Sequence, residues 1–335
     1  MQEPKVDIIV TWVDGNDPAW RAEKNKYKSQ IFGKEAANED DGKRFRDWDN
    51  LQYLFRGIEC FMPWIDRVHL ITCGHLPKWI NLECKRLHIV RHSDYIPSQL
   101  LPTFNSNCIE LYANRIEGLA DKFILFNDDM FVVKPTASEE FFKNGLPCDV
   151  ACLNPQPIVR SEIVNIEVNN LKIINDHFSM KDIMKNRSKW FSLRKYGSLV
   201  LRTKIFSKYS SIIGIYQPHI PLAYNKSTWD TVWKLEEDAL KTACTNQFRS
   251  TDDLNHWLFR SWQLMTGKFE PRRKDFGILV SASDLPRVKK CLDSRSPYKL
   301  VCINDDRLVR DFDETKQNVN SLLQELLPKK SMFEL

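Results

Sequence analysis

The runs Phe123-Ile-Leu-Phe-Asn-Asp-Asp129 and Leu300-Val-Cys-Ile-Asn-Asp-Asp306 carry most of the information about the fold of this chain. Each is a short apolar run followed by Asn-Asp-Asp, a pattern typical of a buried strand that ends at the ligand-binding rim of an α/β sheet. Carboxylate and amide oxygens at such a rim suit Mg²⁺ or Mn²⁺ beside a diphosphate. Asn-Asp pairs also end strands because they form turns, but the second copy favours two strand ends that share one metal.

The segments before the first run predict a sheet flanked by helices. Val6-Asp-Ile-Ile-Val-Thr-Trp-Val13 has the composition of a buried first strand and runs into the turn-forming cluster Asp14-Gly-Asn-Asp-Pro18. A helix capped by Asp49 follows, and further strands are expected at 67–73 and 87–91. Strand and helix alternate in this way up to about residue 135, which favours a parallel or mixed sheet.

The stretch 136–296 has a different texture, with helix-like segments that are rich in tryptophan and interrupted by proline. We interpret it as a large helical insertion, after which the strand at 298–303 returns to the sheet and an apolar stripe predicts a closing helix. The predicted division is a nucleotide-binding α/β core over 1–135, a helical acceptor- and phosphate-binding subdomain over 136–296, and a returning strand with a C-terminal helix over 297–335.

Composition excludes several classes of protein. With 335 residues, 42% hydrophobic and 28% charged, the chain is typical of a soluble globular protein. It shows no transmembrane span, signal peptide or transit sequence, so a cytoplasmic location is expected. The nine cysteines are scattered without zinc-ligand spacing, which indicates reduced thiols. A net charge of +5 is too weak to predict nucleic-acid binding, but it fits an anionic substrate or a membrane surface.

Three further clusters carry candidate chemistry. Arg44 and Arg46 flank an aromatic residue before a helix, which suits bidentate binding of phosphate but also a solvated loop. His219 lies between two prolines in Gln217-Pro-His-Ile-Pro221, so it is either a rigid general base or a structural hydrogen-bonding residue. Arg249 precedes a helix start that could bind phosphate, although ordinary capping by Thr251 or Asp252 explains that start better from the sequence alone.

Several blocks of sequence occur in the order seen in one known family. They are Thr11-Trp-Val-Asp-Gly-Asn-Asp-Pro18, Phe45-Arg-Asp-Trp-Asp-Asn-Leu-Gln-Tyr-Leu-Phe-Arg-Gly-Ile-Glu59 with Pro63-Trp-Ile65, Leu101-Pro-Thr-Phe-Asn-Ser106 and Phe126-Asn-Asp-Asp129, followed by Pro218-His219, Phe248-Arg249 and Cys302-Ile-Asn-Asp305. Taken together, the chain resembles the Stealth family over nearly its whole length.

The resemblance implies an activity and a fold. Stealth proteins transfer a hexose-1-phosphate, such as N-acetylglucosamine-1-phosphate, from a UDP-sugar to a glycan hydroxyl, release UMP and leave the anomeric bond intact. The expected context is capsular or other cell-surface polysaccharide synthesis. The expected fold is a Rossmann-like or GT-A-like mixed sheet flanked by helices, with the large helical insertion. Basic segments such as Lys268-Phe-Glu-Pro-Arg-Arg-Lys274 could contact anionic lipid at the inner face of the membrane, although such segments are more often solvated. A capsule-assembly complex is a further candidate partner, and no nucleic-acid partner is expected.

Residue roles follow from the same resemblance, because phosphoryl transfer needs charge neutralisation and positioning. His219 would accept the acceptor proton, Asp128 would act at the reaction centre, and Arg249 would neutralise the transferring phosphate. The expected metal ligands are Asp128, Asp129, Asn304 and Asp305. The expected contacts to the donor are Asp14, Asp17, Arg44, Arg46, Asn107 and Glu110.

Two positions depart from the family pattern. Many members carry histidine where this chain has Asn107 and Asn114, and asparagine cannot transfer a proton near neutral pH. If either histidine is essential, this chain would be weakened or inactive, so a noncatalytic protein that binds glycans or nucleotide sugars stays open. A metal-dependent glycosyltransferase that releases UDP is a separate alternative, because it would use the same strand-end carboxylates. The sequence predicts no particular donor sugar, acceptor, polymer length or oligomeric state.

Overall fold

The computed structural model describes residues 5–33, 45–306 and 308–335, and its strands form three sheets. The strands are β1 (Val6–Thr11), β2 (Val68–Thr72), β3 (Leu87–Arg91), β4 (Lys122–Asn127), β5 (Met130–Val132), β6 (Phe142–Lys143), β7 (Leu146–Asp149), β8 (Leu222–Asn225), β9 (Glu270–Pro271), β10 (Gly277–Ser281) and β11 (Leu300–Asn304). The main sheet has the order β3-β2-β1-β4-β8. Its first four strands are parallel and β8 is antiparallel to β4, so the predicted mixed sheet is confirmed.

Strand β1 is buried on both faces of the main sheet. Ile8, Ile9 and Val10 are fully buried, and alternate residues face two separate hydrophobic clusters. A continuous apolar run of this kind is what a parallel sheet covered on both sides requires.

A second sheet, of order β10-β11-β5, contains the second Asn-Asp-Asp run. The expectation that the strand at 298–303 returns to the main sheet is wrong, because β11 pairs with β10 and β5 instead. The free edge of β4 is taken by β8, which comes from the stretch predicted to be helical. Strand β5 follows β4 after only Asp128 and Asp129, so the chain passes from the main sheet into the second sheet at this turn. A small third sheet has the order β6-β7-β9.

Helices cover both faces of the main sheet. They are α1 (Pro18–Phe32), α2 (Leu51–Phe61), α3 (His92–Tyr95), α4 (Ser106–Leu111), α5 (Glu162–His177), α6 (Met180–Lys185), α7 (Arg187–Trp190), α8 (Leu193–Tyr196), α9 (Leu199–Phe206), α10 (Lys226–Leu235), α11 (Glu237–Ala243), α12 (Trp257–Met265), α13 (Leu285–Leu292) and α14 (Phe312–Leu326). Side chains of α5 and α12 join the cluster on one face, whereas α2, α14 and the second sheet join the cluster on the other. None of the described helices is both long and apolar enough to cross a membrane.

Helix α2 lies unusually close to the second sheet. It begins at Leu51 with Asn50, not the expected Asp49, at its N-cap position. A Cβ atom added to Gly57 would lie 2.5 Å from the carbonyl oxygen of Val132 in β5. The glycine therefore allows the helix to approach the strand that follows the first Asn-Asp-Asp run.

Candidate functional site

The two Asn-Asp-Asp runs line one cavity. Strands β1 and β4 are parallel with Thr11 opposite Asn127, so their carboxyl ends lie side by side. The second run arrives from the other sheet, and the amide of Ile303 donates to the carbonyl of Asp129 at 2.9 Å. The polar residues of both runs that line the cavity are Asn127, Asp128, Asp129, Asn304 and Asp305.

Polar atoms at the inner end of this cavity lack partners. Oδ1 of Asp129 and Oδ1 of Asn127 are buried and accept no hydrogen bond from any described residue. Ligand atoms of Asp129, His219 and Cys302 lie within 4.8 Å of one another. Buried oxygens are rarely left unpaired, so these two are suited to a cation or another polar ligand.

The carboxylates and the thiol at this point influence one another. Surrounding protein atoms, and then the charges of Asp129 and Asp47, raise the pKa of Asp128 to about 7, although the residue is exposed at the cavity surface. Burial raises the pKa of Asp129, and the nearby His219 opposes that shift. Burial and the neighbouring Asp129 raise the pKa of Cys302, so this thiol stays protonated and can donate to the carboxylate.

Asp305 is held by Arg46. The guanidinium Nε and Nη2 donate to the two carboxylate oxygens, each at 2.6 Å, and Nε1 of Trp48 donates to Oδ2 at 3.2 Å. This bidentate geometry is among the stronger ion pairs in proteins. Asp305 therefore lies in the predicted place, but both of its oxygens are engaged by a residue that was predicted to contact the donor.

His219 is fixed in an uncommon backbone conformation at the same cavity. Its φ of 45° is in the left-handed region, which costs energy for a residue other than glycine. The preceding segment is anchored from the protein interior: the buried Arg260 donates to the Tyr216 carbonyl at 2.8 Å and to Gln217 Oε1 at 2.7 Å. Arg260 also forms a bidentate pair with the buried Asp149, at 2.7 and 2.9 Å. These contacts hold the segment that presents His219.

Arg249 connects three adjoining cavities. It lines the cavity of the Asn-Asp-Asp runs and two neighbouring ones, and its Nη2 donates to Oγ of Ser106 at 2.8 Å. One neighbouring cavity is lined largely by apolar and aromatic side chains, including Trp12, Trp20 and Phe104. We call the cavity of the Asn-Asp-Asp runs the acidic cavity and the one around Trp12, Trp20 and Phe104 the aromatic cavity. Arg249 is a cation that lies between the two.

Glu110 lies beside Arg249 with an unusual protonation state. Burial raises the pKa of Glu110 to about 8, and the positive charge of Arg249 only partly offsets this. Oε2 of Glu110 is 3.7 Å from Nε2 of His256, whose Nδ1 is 2.7 Å from the hydroxyl of Tyr224. Burial lowers the pKa of His256 to about 3. Glu110 and His256 are therefore both neutral near pH 7. Together with Tyr224 they form a buried chain of polar groups that ends at the cavity wall.

The two asparagines that depart from the family pattern have different surroundings. Asn107 lines a cavity together with His219 and Arg249, and its amide nitrogen donates to Asp253 at 2.9 Å. Asn114 instead donates to Asp230 at 2.9 Å and lines none of the described cavities.

The predicted nucleotide-contacting carboxylates have structural roles. Asp17 caps α1 by accepting from the Trp20 amide at 2.7 Å, and Asp14 accepts from the Asn16 amide at 2.8 Å. The backbone amide of Asp14 donates to Nε2 of His75 at 2.7 Å. Neither carboxylate lines a described cavity. Arg44 lies outside the described residues.

Sequence reasoning missed several residues of the site. Asp47 and Trp48 line the acidic cavity directly after Arg46, and burial raises the pKa of Asp47 to about 6. Arg260 was also missed, although a lone arginine inside the apolar run Trp257–Met265 is a signal for a buried acidic partner. Its partner Asp149 gave no such signal, because it is the last residue of an ordinary short strand.

Comparison with known proteins identifies relatives over the full length. Residues 4–31 match the model of Stealth protein CR1, conserved region 1, and residues 44–149 match that of Stealth protein CR2, conserved region 2. The chain is 37% identical to the capsular polysaccharide phosphotransferase WcwK of Streptococcus pneumoniae, over 98% of each chain. It is 36% identical to the receptor polysaccharide phosphotransferase WefC of Streptococcus gordonii, over 99% of each chain.

A more distant relative and a solved structure are also found. The exopolysaccharide phosphotransferase cps2G of Lactiplantibacillus plantarum is 30% identical over 98% of this chain and 96% of its own length. Among solved structures, the galactosyltransferase LgtC is 10% identical with a TM-score of 0.41, over 94% of this chain and 95% of its own.

Proposed function

Because this chain belongs to the Stealth family, we propose that it is a sugar-phosphate transferase of cell-surface polysaccharide synthesis. The donor in this proposal is a UDP-sugar, the transferred group is hexose-1-phosphate, and the acceptor is a glycan hydroxyl. The observation that carries it is the cavity in which both Asn-Asp-Asp runs meet His219 and Arg249. Acidic oxygens that can hold a metal, a cation and a base around one space are suited to phosphoryl transfer.

The proposed reaction exchanges one oxygen for another on phosphorus. The oxygen of the acceptor hydroxyl forms a bond to the β-phosphorus, the bond to the bridging oxygen breaks, and UMP leaves with that oxygen. His219 takes the proton of the hydroxyl, a role supported by its fixed backbone and by its proximity to Asp129. A positioned general base contributes about 10²–10⁴-fold to such a step.

The described oxygens fit a divalent cation. Asp129 and Asn127 each offer a buried oxygen without a partner, and Asp128 adds a carboxylate at the same cavity. We assign the metal site to Asp128 and Asp129 with Asn304, and Asp305 would join it only if its pair with Arg46 opened. Mg²⁺ or Mn²⁺ bound there would neutralise charge on the diphosphate.

Arginines and aromatic residues would hold the rest of the donor. Arg249 lies between the acidic and the aromatic cavity, a place suited to the transferring phosphate, and Arg46 would assist it once released from Asp305. The aromatic cavity around Trp12 and Phe104 suits the uridine, with Glu110 at its wall. Asp14 and Asp17 would act there by shaping the loop after β1.

The proposed location is the cytoplasm, at the inner face of the membrane beside a capsule-assembly complex. All nine cysteines are unpaired thiols and seven of them are buried, as expected of a protein that folds in a reducing compartment.

The decisive experiment incubates the purified chain with a panel of UDP-sugars, Mg²⁺ and short glycan acceptors, and resolves UMP from UDP. We expect acceptor-dependent UMP, reduced by about 10²-fold or more in His219→Asn and Asp128→Asn. Asparagine is chosen at 219 because it tolerates the left-handed backbone.

The matched control is His177→Asn, which removes an exposed histidine that binds Glu236 outside the cavities and should leave the rate unchanged. Release of UDP would identify a glycosyltransferase instead. Binding of a UDP-sugar without either product would identify a noncatalytic binding protein.

A further inference from the structure

A long part of the helical insertion carries positive charge only. Between Asp182 and Asp230 the sequence contains no Asp or Glu, whereas 44 of the 335 residues are acidic overall. The Lys and Arg residues within it are Lys185, Arg187, Lys189, Arg194, Lys195, Arg202, Lys204, Lys208 and Lys226. Charge segregation of this extent is typical of a surface that meets anions.

The same stretch exposes large apolar side chains. Leu201 and Ile205 in α9 are 62% and 60% exposed, and residues four apart lie on the same side of a helix. Leu193 in α8 and Tyr209 after α9 are 69% and 56% exposed. The inward side of α9 already packs against the protein, because Thr203 is buried. The outward apolar side therefore lacks a partner within the described chain.

Basic side chains surround these apolar ones. Arg194, Arg202, Lys204 and Lys208 are exposed, and none of them forms an ion pair with a carboxylate among the described residues. A second basic segment reaches the same place, since Nζ of Lys274 lies 3.5 Å from Oγ of Ser198. We call the set Leu193, Arg194, Leu201, Arg202, Lys204, Ile205, Lys208 and Tyr209 the basic apolar face.

The basic apolar face is attached to the segment that carries His219. Oγ1 of Thr203 in α9 accepts from the amide of Leu153 at 3.2 Å. The carbonyl of the neighbouring Cys152 accepts from the amide of Tyr216 at 2.9 Å. Tyr216 lies three residues before His219, so two hydrogen bonds link α9 to the segment that carries His219.

We propose that the basic apolar face binds the surface of an anionic lipid bilayer. Leu and Ile side chains would enter the boundary between headgroups and acyl chains, while Lys and Arg contact anionic headgroups. A soluble polyanion would account for the cations but would leave the exposed Leu and Ile without a partner. The inference deepens the membrane association proposed above and rests on it, but it does not depend on which reaction the cavity performs.

Vesicle co-sedimentation of the full chain tests this surface. We expect binding to vesicles of phosphatidylcholine with roughly one third phosphatidylglycerol, and far weaker binding to phosphatidylcholine alone. Leu201→Ser with Ile205→Ser, which keeps the charge, should weaken binding by about tenfold or more. Lys204→Gln with Lys208→Gln should weaken it by a similar factor, and added salt should weaken the wild type.

Matched controls separate a specific surface from net charge. Lys289→Gln with Lys290→Gln removes the same charge from the exposed side of α13, and Leu235→Ser removes an apolar side chain that is 53% exposed in α10. Both control variants should bind vesicles like the wild type. The proposal would be overturned if the control variants lost vesicle binding equally, or if the wild type did not bind anionic vesicles. It would also be overturned if the chain bound a soluble polyanion and the serine pair did not weaken that binding. Transfer to a water-soluble acceptor should persist in every variant, so failure of the surface is distinguishable from failure of the reaction.

Discussion

Burial sets the protonation of single residues in the cavity. Glu110 is the clearest case, because it is buried and its pKa of about 8 lies far above that of an exposed glutamate near 4.3. Between these values the folded chain binds a proton that the unfolded chain has released. The free energy of unfolding therefore falls as pH rises across this range.

Replacing Glu110 tests that linkage. We expect Glu110→Gln to gain stability relative to the wild type as pH rises from about 5 to about 8, by up to roughly 1.4 kcal/mol per pH unit. The measurement is urea unfolding of both proteins across this range. A difference between them that stays constant with pH would show that Glu110 is ionised in the folded state.

The pair of Arg46 with Asp305 controls a second charge. Arg46→Ala should lower the free energy of unfolding by about 2 kcal/mol, because the largely buried carboxylate of Asp305 loses both guanidinium donors and keeps only Nε1 of Trp48. The same variant should bind Mn²⁺ more tightly, since Asp305 becomes available as a ligand. Asp305→Asn is the matched comparison and should not gain affinity. Calorimetric titration with Mn²⁺ measures the affinity of both variants. An unchanged affinity in Arg46→Ala would remove Asp305 from the proposed metal site.

At the scale of elements, the site depends on how one helix and one loop are held. Helix α2 approaches β5 through Gly57, and the loop before His219 is tied to α12 by Arg260. Neither contact includes a group that would touch substrate. Both nevertheless position residues that do.

Gly57→Ala should reverse the usual effect of this substitution. Alanine ordinarily stabilises a helix interior by about 1 kcal/mol relative to glycine. Here the new Cβ would lie 2.5 Å from the backbone of β5, so we expect a loss of about 1–3 kcal/mol from overpacking. Cys60→Ala, at an exposed position of the same helix, should change stability by less than about 0.5 kcal/mol. Thermal unfolding compares the two, and a more stable Gly57→Ala would contradict the packing.

Removal of Arg260 should affect both stability and catalysis. Arg260→Met leaves the buried Asp149 without its partner, which typically costs about 3–5 kcal/mol. Adding Asp149→Leu should recover a large part of that stability, because the uncompensated charge is gone. Activity should stay low in the double variant, since the segment before His219 has lost its anchor. Recovery of full activity there would show that Arg260 has no positioning role.

At the scale of the whole molecule, the sequence predicted the four parallel strands of the main sheet because they are rich in apolar residues, but it did not predict the edge strand β8. The predicted position of β11 was wrong because the sequence of a strand does not indicate its partner, and the edge of β4 is occupied by the short strand Leu222–Asn225. The meeting of the two Asn-Asp-Asp runs at one cavity was predicted because a repeated pattern is specific, whereas their role as metal ligands stays a prediction. Asp47 and Arg260 were missed because their roles depend on long-range contacts, which local patterns do not contain.

Metal binding should stabilise the molecule as a whole. The proposed ligands come from the ends of strands in two different sheets, so an ion bound there opposes separation of the sheets. At a concentration about 100 times its dissociation constant, Mn²⁺ should add about 2.7 kcal/mol. Calorimetry with Mn²⁺ and with EDTA should show a higher Tm in the first case, and Asp129→Asn should abolish the difference. An equal rise in Tm for Asp129→Asn would show that the ion binds elsewhere.

The turn at Asp128 and Asp129 has a consequence for how the chain matures. It joins β4 to β5, and β5 pairs with a strand about 170 residues further along the chain. Contacts of such sequence separation form late during folding. A newly synthesised chain can therefore complete its main sheet before the acidic cavity exists. We expect activity to appear after the bulk of secondary structure during refolding, which makes the enzymatic assay a sensitive reporter of the last folding step.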